Sequence, residues 1–144
     1  MKSALSGIPV ARAMLTDFRT LAPQDALRRA VELLLGGSQH DFPVLDGERV
    51  VGVLTRADLL VALAKRDQDS RVEDVMRREF ETVDAAEMLE TAFRRFQTCH
   101  CETLPILRAG ALVGLVSLDN VGEFVAVQAA LESAQAGRRK AGGA

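Results

Sequence analysis

A chain of 144 residues suits one compact unit, and with 48% apolar residues, only 4% aromatic ones and neither Trp nor Tyr, its core has to be aliphatic. Eighteen Lys and Arg against twenty Asp and Glu leave a formal charge of -2, which excludes the basic footprint of a nucleic-acid binder. No apolar run nears the ~18 residues of a membrane span, and the N-terminus carries no signal-peptide core, so the chain is expected to be cytoplasmic.

The stretch from Val10 to about Asp58 aligns without a gap on the chain 62 positions later. Met14 falls on Met76, Phe18 on Phe80, Thr20 on Thr82, Pro43 on Pro105 and Gly52 on Gly114. Chance supplies about three identities over such a stretch, at a frequency of ~7% for common residues. The chain is therefore a duplication.

In the first copy, Pro23 precedes Leu27, Ala30, Val31 and Leu34, a spacing that lays one apolar stripe along a helix. Phe42 to Leu45 and Val50 to Leu54 read as a hairpin around Asp46-Gly47. Thr55-x-x-Asp58 then opens a helix over about 56–66, and residues 65–71 form a polar linker. The second copy repeats this order. Ser70-x-x-Glu73 reads as a capping box for its first short helix, and Asp84-x-x-Glu87 as a start signal for the next. Leu89, Ala92, Phe93 and Phe96 repeat the stripe, and the hairpin returns as 104–107 and 112–116 around Ala109-Gly110. Ser117-x-x-Asn120 opens a last helix over about 118–134, with Val121, Phe124, Val125, Gln128 and Leu131 as a core or dimer stripe. The expected fold is α/β: two pseudo-symmetric repeats (short helix-β-α-β-β-α) packed sheet to sheet. They occupy 8–66 and 71–131, with a flexible tail over 132–144. A proline inside each first strand suggests that the backbone there forgoes a ladder bond so that something else can approach.

The ordered set Val10-x-x-Ala-Met14, Thr20, Phe42-Pro43-Val44, Val51 to Thr55 and Asp58, occurring twice, resembles the CBS domain pair, or Bateman module. The resemblance covers about residues 8–130. It implies two clefts between the repeats, an adenosine-containing regulator (AMP, ADP, ATP or S-adenosylmethionine) and a homodimer, with no cofactor required. An adenosine ligand needs a flat slot for the base, a carboxylate for the ribose diol, and hydroxyls, cations or a helix start for phosphate. On that pattern Thr20 and Phe42-Pro43-Val44 line the base slot, Asp58 takes the ribose, and Thr55 and Arg56 meet phosphate. Thr82, Leu104-Pro105-Ile106, Ser117 and Asn120 hold the equivalent places in the second copy. Asn120 departs from the pattern, since an amide lacks the charge assistance of a carboxylate, so unequal occupancy of the two clefts is expected. Thr55-x-x-Asp58 is also an ordinary helix cap, and both roles can coexist.

The stretches 14–20, 37–43 and 119–124 look like the CBS pair appended to bacterial site-2-type intramembrane zinc proteases. The chain is then either such a regulatory domain or a stand-alone relative, and the protease is its attached or partner protein. A dimerisation or docking scaffold without nucleotide is the rival reading. Cys99-His100-Cys101, with His40 in the matching loop, raises zinc or redox sensing. The Cys-x-Cys spacing is tighter than usual zinc spacing, and the three are read as ordinary loop residues, with no metal site. The two cysteines also stand too close for an ordinary disulfide framework and suit a reducing compartment. No phosphate-binding glycine loop or nucleophile elbow is present, and no enzyme is expected.

Overall fold

The structure is a computed structural model that describes residues 6–65 and 68–142. After a single 3-10 turn at Val10–Arg12, the first repeat runs α1 (Leu27–Gly36), β1 (Phe42–Asp46), β2 (Arg49–Leu54) and α2 (Arg56–Lys65). After a matching turn at Val72–Asp74, the second runs β3 (Val83–Asp84), α3 (Leu89–Cys99), β4 (Thr103–Arg108), β5 (Ala111–Ser117) and α4 (Leu118–Gly142). β1–β2 and β4–β5 are antiparallel hairpins of the same register, each bulged by one residue, and β3 adds to β4 in parallel. In the first repeat Leu21 alone does the work of β3: its amide donates to the Pro43 carbonyl (3.0 Å), and its carbonyl accepts from the Leu45 amide (2.8 Å). The α/β pair of repeats expected from the duplication is the fold the chain adopts.

The leading segment of each repeat belongs to the other one. Val10 donates to the Glu87 carbonyl (2.9 Å), Leu89 to that of Ile8 (2.7 Å), and Leu15 and Leu115 exchange both backbone bonds (2.7 and 3.0 Å). The symmetry-related set is Val72 to Asp25 and Leu27 to Ser70 (both 2.8 Å), with Val53 and Arg77 exchanging bonds of 3.0 and 2.9 Å. Packing follows the same exchange. Val10 and Ala13 join Val83, Leu89, Phe96, Leu104, Ile106 and Val116 in one core; Val72 and Met76 join Leu27, Phe42, Val44, Leu54 and Leu59 in the other. Each large side chain buried in these clusters contributes roughly 1.5–3 kcal/mol, which no single repeat could gather alone.

The exchange explains three departures from the sequence reading. α1 and α3 begin at Ala26 and Met88 with no side-chain cap, because backbone carbonyls of the other repeat take their first amides. Glu87 Oε2 does accept from the Asp84 amide (3.2 Å), but the Asp84 carboxylate accepts from the Ala86 amide (2.9 Å) and the Glu87 amide donates to the Asp84 carbonyl (2.9 Å), so the pair closes the turn before α3 rather than its first turn. The turn at Val72 begins at Arg71 without a side-chain cap, so Ser70 is not its cap. The prolines have a local reason too. Val53, opposite Pro43, turns its amide and carbonyl toward Arg77, so this is a non-hydrogen-bonded pair and the hairpin loses no bond to Pro43. Pro105 and Leu115 repeat the arrangement with Leu15.

α4 continues as helix through the stretch read as a tail, whose Glu, Ala, Gln and Arg are good helix formers. No described helix is long and apolar enough to cross a membrane. The second hairpin turns on Ala109 (φ 52) and Gly110 (φ 83), the two positive φ values of a type I′ turn. Ala109 pays for a left-handed conformation that asparagine tolerates better. Ala109→Asn is therefore expected to stabilise the chain by about 0.5–1 kcal/mol, read as a rise of a few degrees in a thermal melt.

Candidate functional site

Two cavities lie beside the joined hairpins, and they are related by the same 62-residue shift that relates the repeats. The first, about 770 Å³, lies between Thr55 and Arg56 at the start of α2, the segment Arg77 to Glu81, and the loop Cys99 to Thr103. The second, about 670 Å³, lies between Ser117 to Asn120 at the start of α4, the segment holding Leu15, Asp17 and Phe18, and the loop Ser38 to Asp41. Their charges differ in the cations alone. Both carry four carboxylates, Asp41, Glu79, Glu81 and Glu102 in the first and Asp17, Asp41, Glu102 and Asp119 in the second, but Arg56, Arg77 and Arg78 line only the first, and Leu118 and Leu15 stand in the places of Arg56 and Arg77 in the second.

Thr55 and Ser117 cap their helices as the sequence suggests, accepting from the amides of Asp58 and Asn120 (both 3.1 Å). Such amide-rich helix starts favour an anion. The Asp58 carboxylate accepts from Arg77, Nε to Oδ2 at 2.7 Å and Nη2 to Oδ1 at 3.5 Å. The pair's counterparts at the second cleft are Asn120 and Leu15, so carboxylate and cation are lost together. The hydrogen bond from Arg77 holds the Asp58 carboxyl below the usual carboxylate range, against the opposing effect of burial. Arg95 does the same for Glu87, reaching it with Nη2 to Oε1 at 2.9 Å. A carboxyl whose folded pKa is depressed stabilises the fold above its unfolded pKa, and that stability is lost as pH falls through the folded value. Melting temperature should therefore decline below about pH 4. Asp58→Asn should flatten that acid limb, with little change in its slope between about pH 5 and 7.

The remaining expected site residues have other surroundings. The side chains of Phe42, Val44, Leu104 and Ile106 are at most 1% exposed and belong to the two cores, and Pro43 and Pro105 are buried beside them. Burial of three consecutive residues in each strand is what a strand covered on both faces looks like, so these side chains do not line an open slot. Thr20 is exposed, and Thr82 is half-buried with its carbonyl accepting from Arg95 (2.8 Å). None of these lines either cavity, and neither does Asp58, which reaches the first only through its bond to Arg77; Thr55 and Arg56 line the first and Ser117 and Asn120 the second.

The sequence reading passed over Asp41, Thr103, Arg77, Arg78 and Phe80. Asp41 is 8% exposed and lines both cavities. Its Oδ2 accepts from the hydroxyl of Thr103 (2.9 Å), its own symmetry mate, and its Oδ1 from the amide of Arg56 (3.1 Å). One signal was available: Phe18 and Phe80 are identical across the repeats yet lie outside the helical stripes. Cys99 and Cys101, expected as unpaired loop residues, are joined as a disulfide. His100, between them, takes a left-handed conformation (φ 53, ψ 34) that folds the chain back, so a spacing of two suffices. His40 lines the same cavity, but among the described residues no group of three or more His, Cys, Asp or Glu is placed to hold a metal.

The family profile described as the CBS domain matches residues 7–65 and again 72–126. An A-adding tRNA nucleotidyltransferase of Geobacter sulfurreducens is 39% identical over 56 residues, which are 39% of this chain and 6% of that protein. An inosine-5'-monophosphate dehydrogenase of Korarchaeum cryptofilum is 28% identical over 109 residues, 75% of this chain and 22% of that one. The chain thus spans under a quarter of the length of either enzyme. Among solved structures, the CBS domains of a transcriptional regulator from Streptococcus pneumoniae superpose with a TM-score of 0.72 at 21% identity, covering 82% of this chain and 99% of that one.

Proposed function

The chain belongs to the CBS domain family, and from that premise we propose that it is a non-catalytic regulatory module whose first cleft binds an adenosine phosphate. The observation that supports this is the set of three arginines around the first cleft, at the start of a helix, with none in the second. A cleft of this size is in the range of small-molecule sites. Phosphate meets the guanidinium groups of Arg56 and Arg78 beside the start of α2, and the ribose diol takes Asp58 while Arg77 turns from that carboxylate to phosphate. The second cleft, acidic and with Asn120 in place of the carboxylate, disfavours phosphorylated ligands and suits the cationic S-adenosylmethionine better. Ligand in either cleft biases the orientation of the repeats, a coupling of about 1–3 kcal/mol that an attached or partner protein feels. The resemblance to the CBS pair of membrane zinc proteases makes such a protease our proposed target.

Exposed apolar side chains favour a second reading as a dimerisation scaffold. Leu60 and Val61 on α2 and Val127 and Leu131 on α4 are 44–57% exposed. The test is a thermal melt with AMP, ADP, ATP and S-adenosylmethionine in turn. A ligand at ~100 times its Kd stabilises the native state by about 2.7 kcal/mol, a shift of several degrees. Arg78→Ala removes one charge-assisted contact and should weaken a phosphorylated ligand roughly tenfold, without weakening S-adenosylmethionine. No shift for any of the four at millimolar concentration would leave the scaffold as the better account.

A further inference from the structure

We propose that Cys99 and Cys101 form a redox switch on the first cleft: the disulfide holds the cleft wall in its ligand-ready shape, and reduction releases the wall and weakens nucleotide binding. This rests on the adenosine-phosphate reading of that cleft.

Both cysteines line the cavity together with His100 between them. α3 ends at Cys99, and His100 is left-handed, a backbone state that a non-glycine residue keeps only when its surroundings hold it there. The Cα atoms of the two cysteines are 5.2 Å apart, within the span of a disulfide. The first repeat shows what holds this loop when no sulfur is present. Gln39 stands at the place of Cys101, and Gly37 at that of Cys99. The Gln39 side chain accepts from the Arg19 amide (2.7 Å) and donates to the carbonyls of Arg19 and Asp41 (both 2.9 Å), a permanent amide clamp on the wall of the second cleft. Cys101 can make no such clamp. Its bond to Cys99 replaces three hydrogen bonds with one covalent link whose existence depends on redox conditions.

The link also has a route to the ligand. Two residues beyond Cys101, Thr103 donates to Asp41, which in turn accepts the Arg56 amide at the start of α2. The position of the loop is thereby passed to the helix start and the arginine that meet phosphate. The second cleft has no cysteine in its lining and none of the three arginines, so the change in phosphate affinity is confined to the first.

The exchange balances with a low-molecular-weight disulfide as oxidant. The Cys99 thiolate attacks one sulfur of that disulfide and expels one small thiolate. The Cys101 thiolate then attacks Cys99 in the mixed disulfide and expels the second. Two electrons pass from the protein to the small disulfide, and the two protein thiol protons end on the two released thiols.

The experiment is isothermal titration of the full chain with ATP after treatment with oxidised glutathione or with dithiothreitol, and a free-thiol count on each sample. We expect no titratable thiol after oxidation and two after reduction, with ATP binding roughly fivefold to tenfold tighter in the oxidised sample. The double variant Cys99→Ser, Cys101→Ser should bind like the reduced wild type under both treatments; the comparison of oxidised with reduced wild type stands even if that variant folds poorly. Equal affinity in the two states, or thiols that persist after oxidation, overturns the switch while leaving the nucleotide reading intact. The titration is repeated with ADP and AMP; absence of binding by all three in both states overturns the nucleotide reading and the switch together, and is told apart from failure of the switch alone by the lack of a binding isotherm in either sample.

Discussion

Phe42→Ala is expected to cost about 3–5 kcal/mol and to lower the melting temperature by roughly 10 °C or more. The sequence pattern puts Phe42 in a ligand slot; its 1% exposure and its neighbours Leu27, Leu54, Leu59, Val72 and Met76 put it in a core. Because Val72 and Met76 come from the leading segment of the second repeat, the cavity left by truncation loosens the joint between repeats as well as the first repeat itself. Thr20→Ala, at an exposed position of the same supposed slot, should stay within about 0.5 kcal/mol. A thermal melt of the two variants decides the matter. If Phe42→Ala melts with the wild type but loses ligand, the residue belongs to a site after all.

Gly52→Val should have an effect of similar size for a different reason. A Cβ at Gly52 would sit 2.6 Å from Sδ of Met76 and 2.9 Å from the carbonyl oxygen of Arg77, and at Gly114 the same atom would meet Met14 and the carbonyl of Leu15 at 2.8 and 2.9 Å. The thioether can swing aside; the carbonyl cannot, because it accepts from Val53 (3.0 Å). Valine at 52 therefore pushes the Arg77 segment off β2, breaks the paired backbone bonds and carries an arginine away from the first cleft. Overpacking and two lost bonds together give about 3 kcal/mol or more, with weakened nucleotide binding beyond the loss of stability. Gly114→Val should match it in stability, yet leave the arginines of the first cleft in place. Equal loss of ATP affinity in the two variants would show that Arg77 takes no part in binding.

Much of this fold was legible in one chain because its signals are local. A helix stripe, a hairpin turn and a Thr or Ser cap three residues before its bonded amide are all written within a few positions. The duplication then confirms each of them by repeating it. The asymmetry at Asn120 was legible for the same reason: it is a single letter at a known place in a known pattern. The residues that make the first cleft what it is were not legible. Arg77 meets Asp58 from 19 positions away, and Asp41 meets Thr103 from 62. The strand residues read as a slot turned out to be covered on both faces, since hydrophobicity alone does not say whether a buried residue faces a ligand or a neighbouring helix.

The exchange of leading segments sets the limit most clearly. Val10 could pack with its own repeat or with the other, and by symmetry so could Val72; the apolar pattern is identical in both arrangements. A duplicated sequence states what each unit needs and says nothing about which copy supplies it. Only the three-dimensional structure, through the backbone bonds between Arg77 and Val53 and the fit of Met76 over Gly52, assigns each segment to its partner and so places three arginines in one cleft and none in the other.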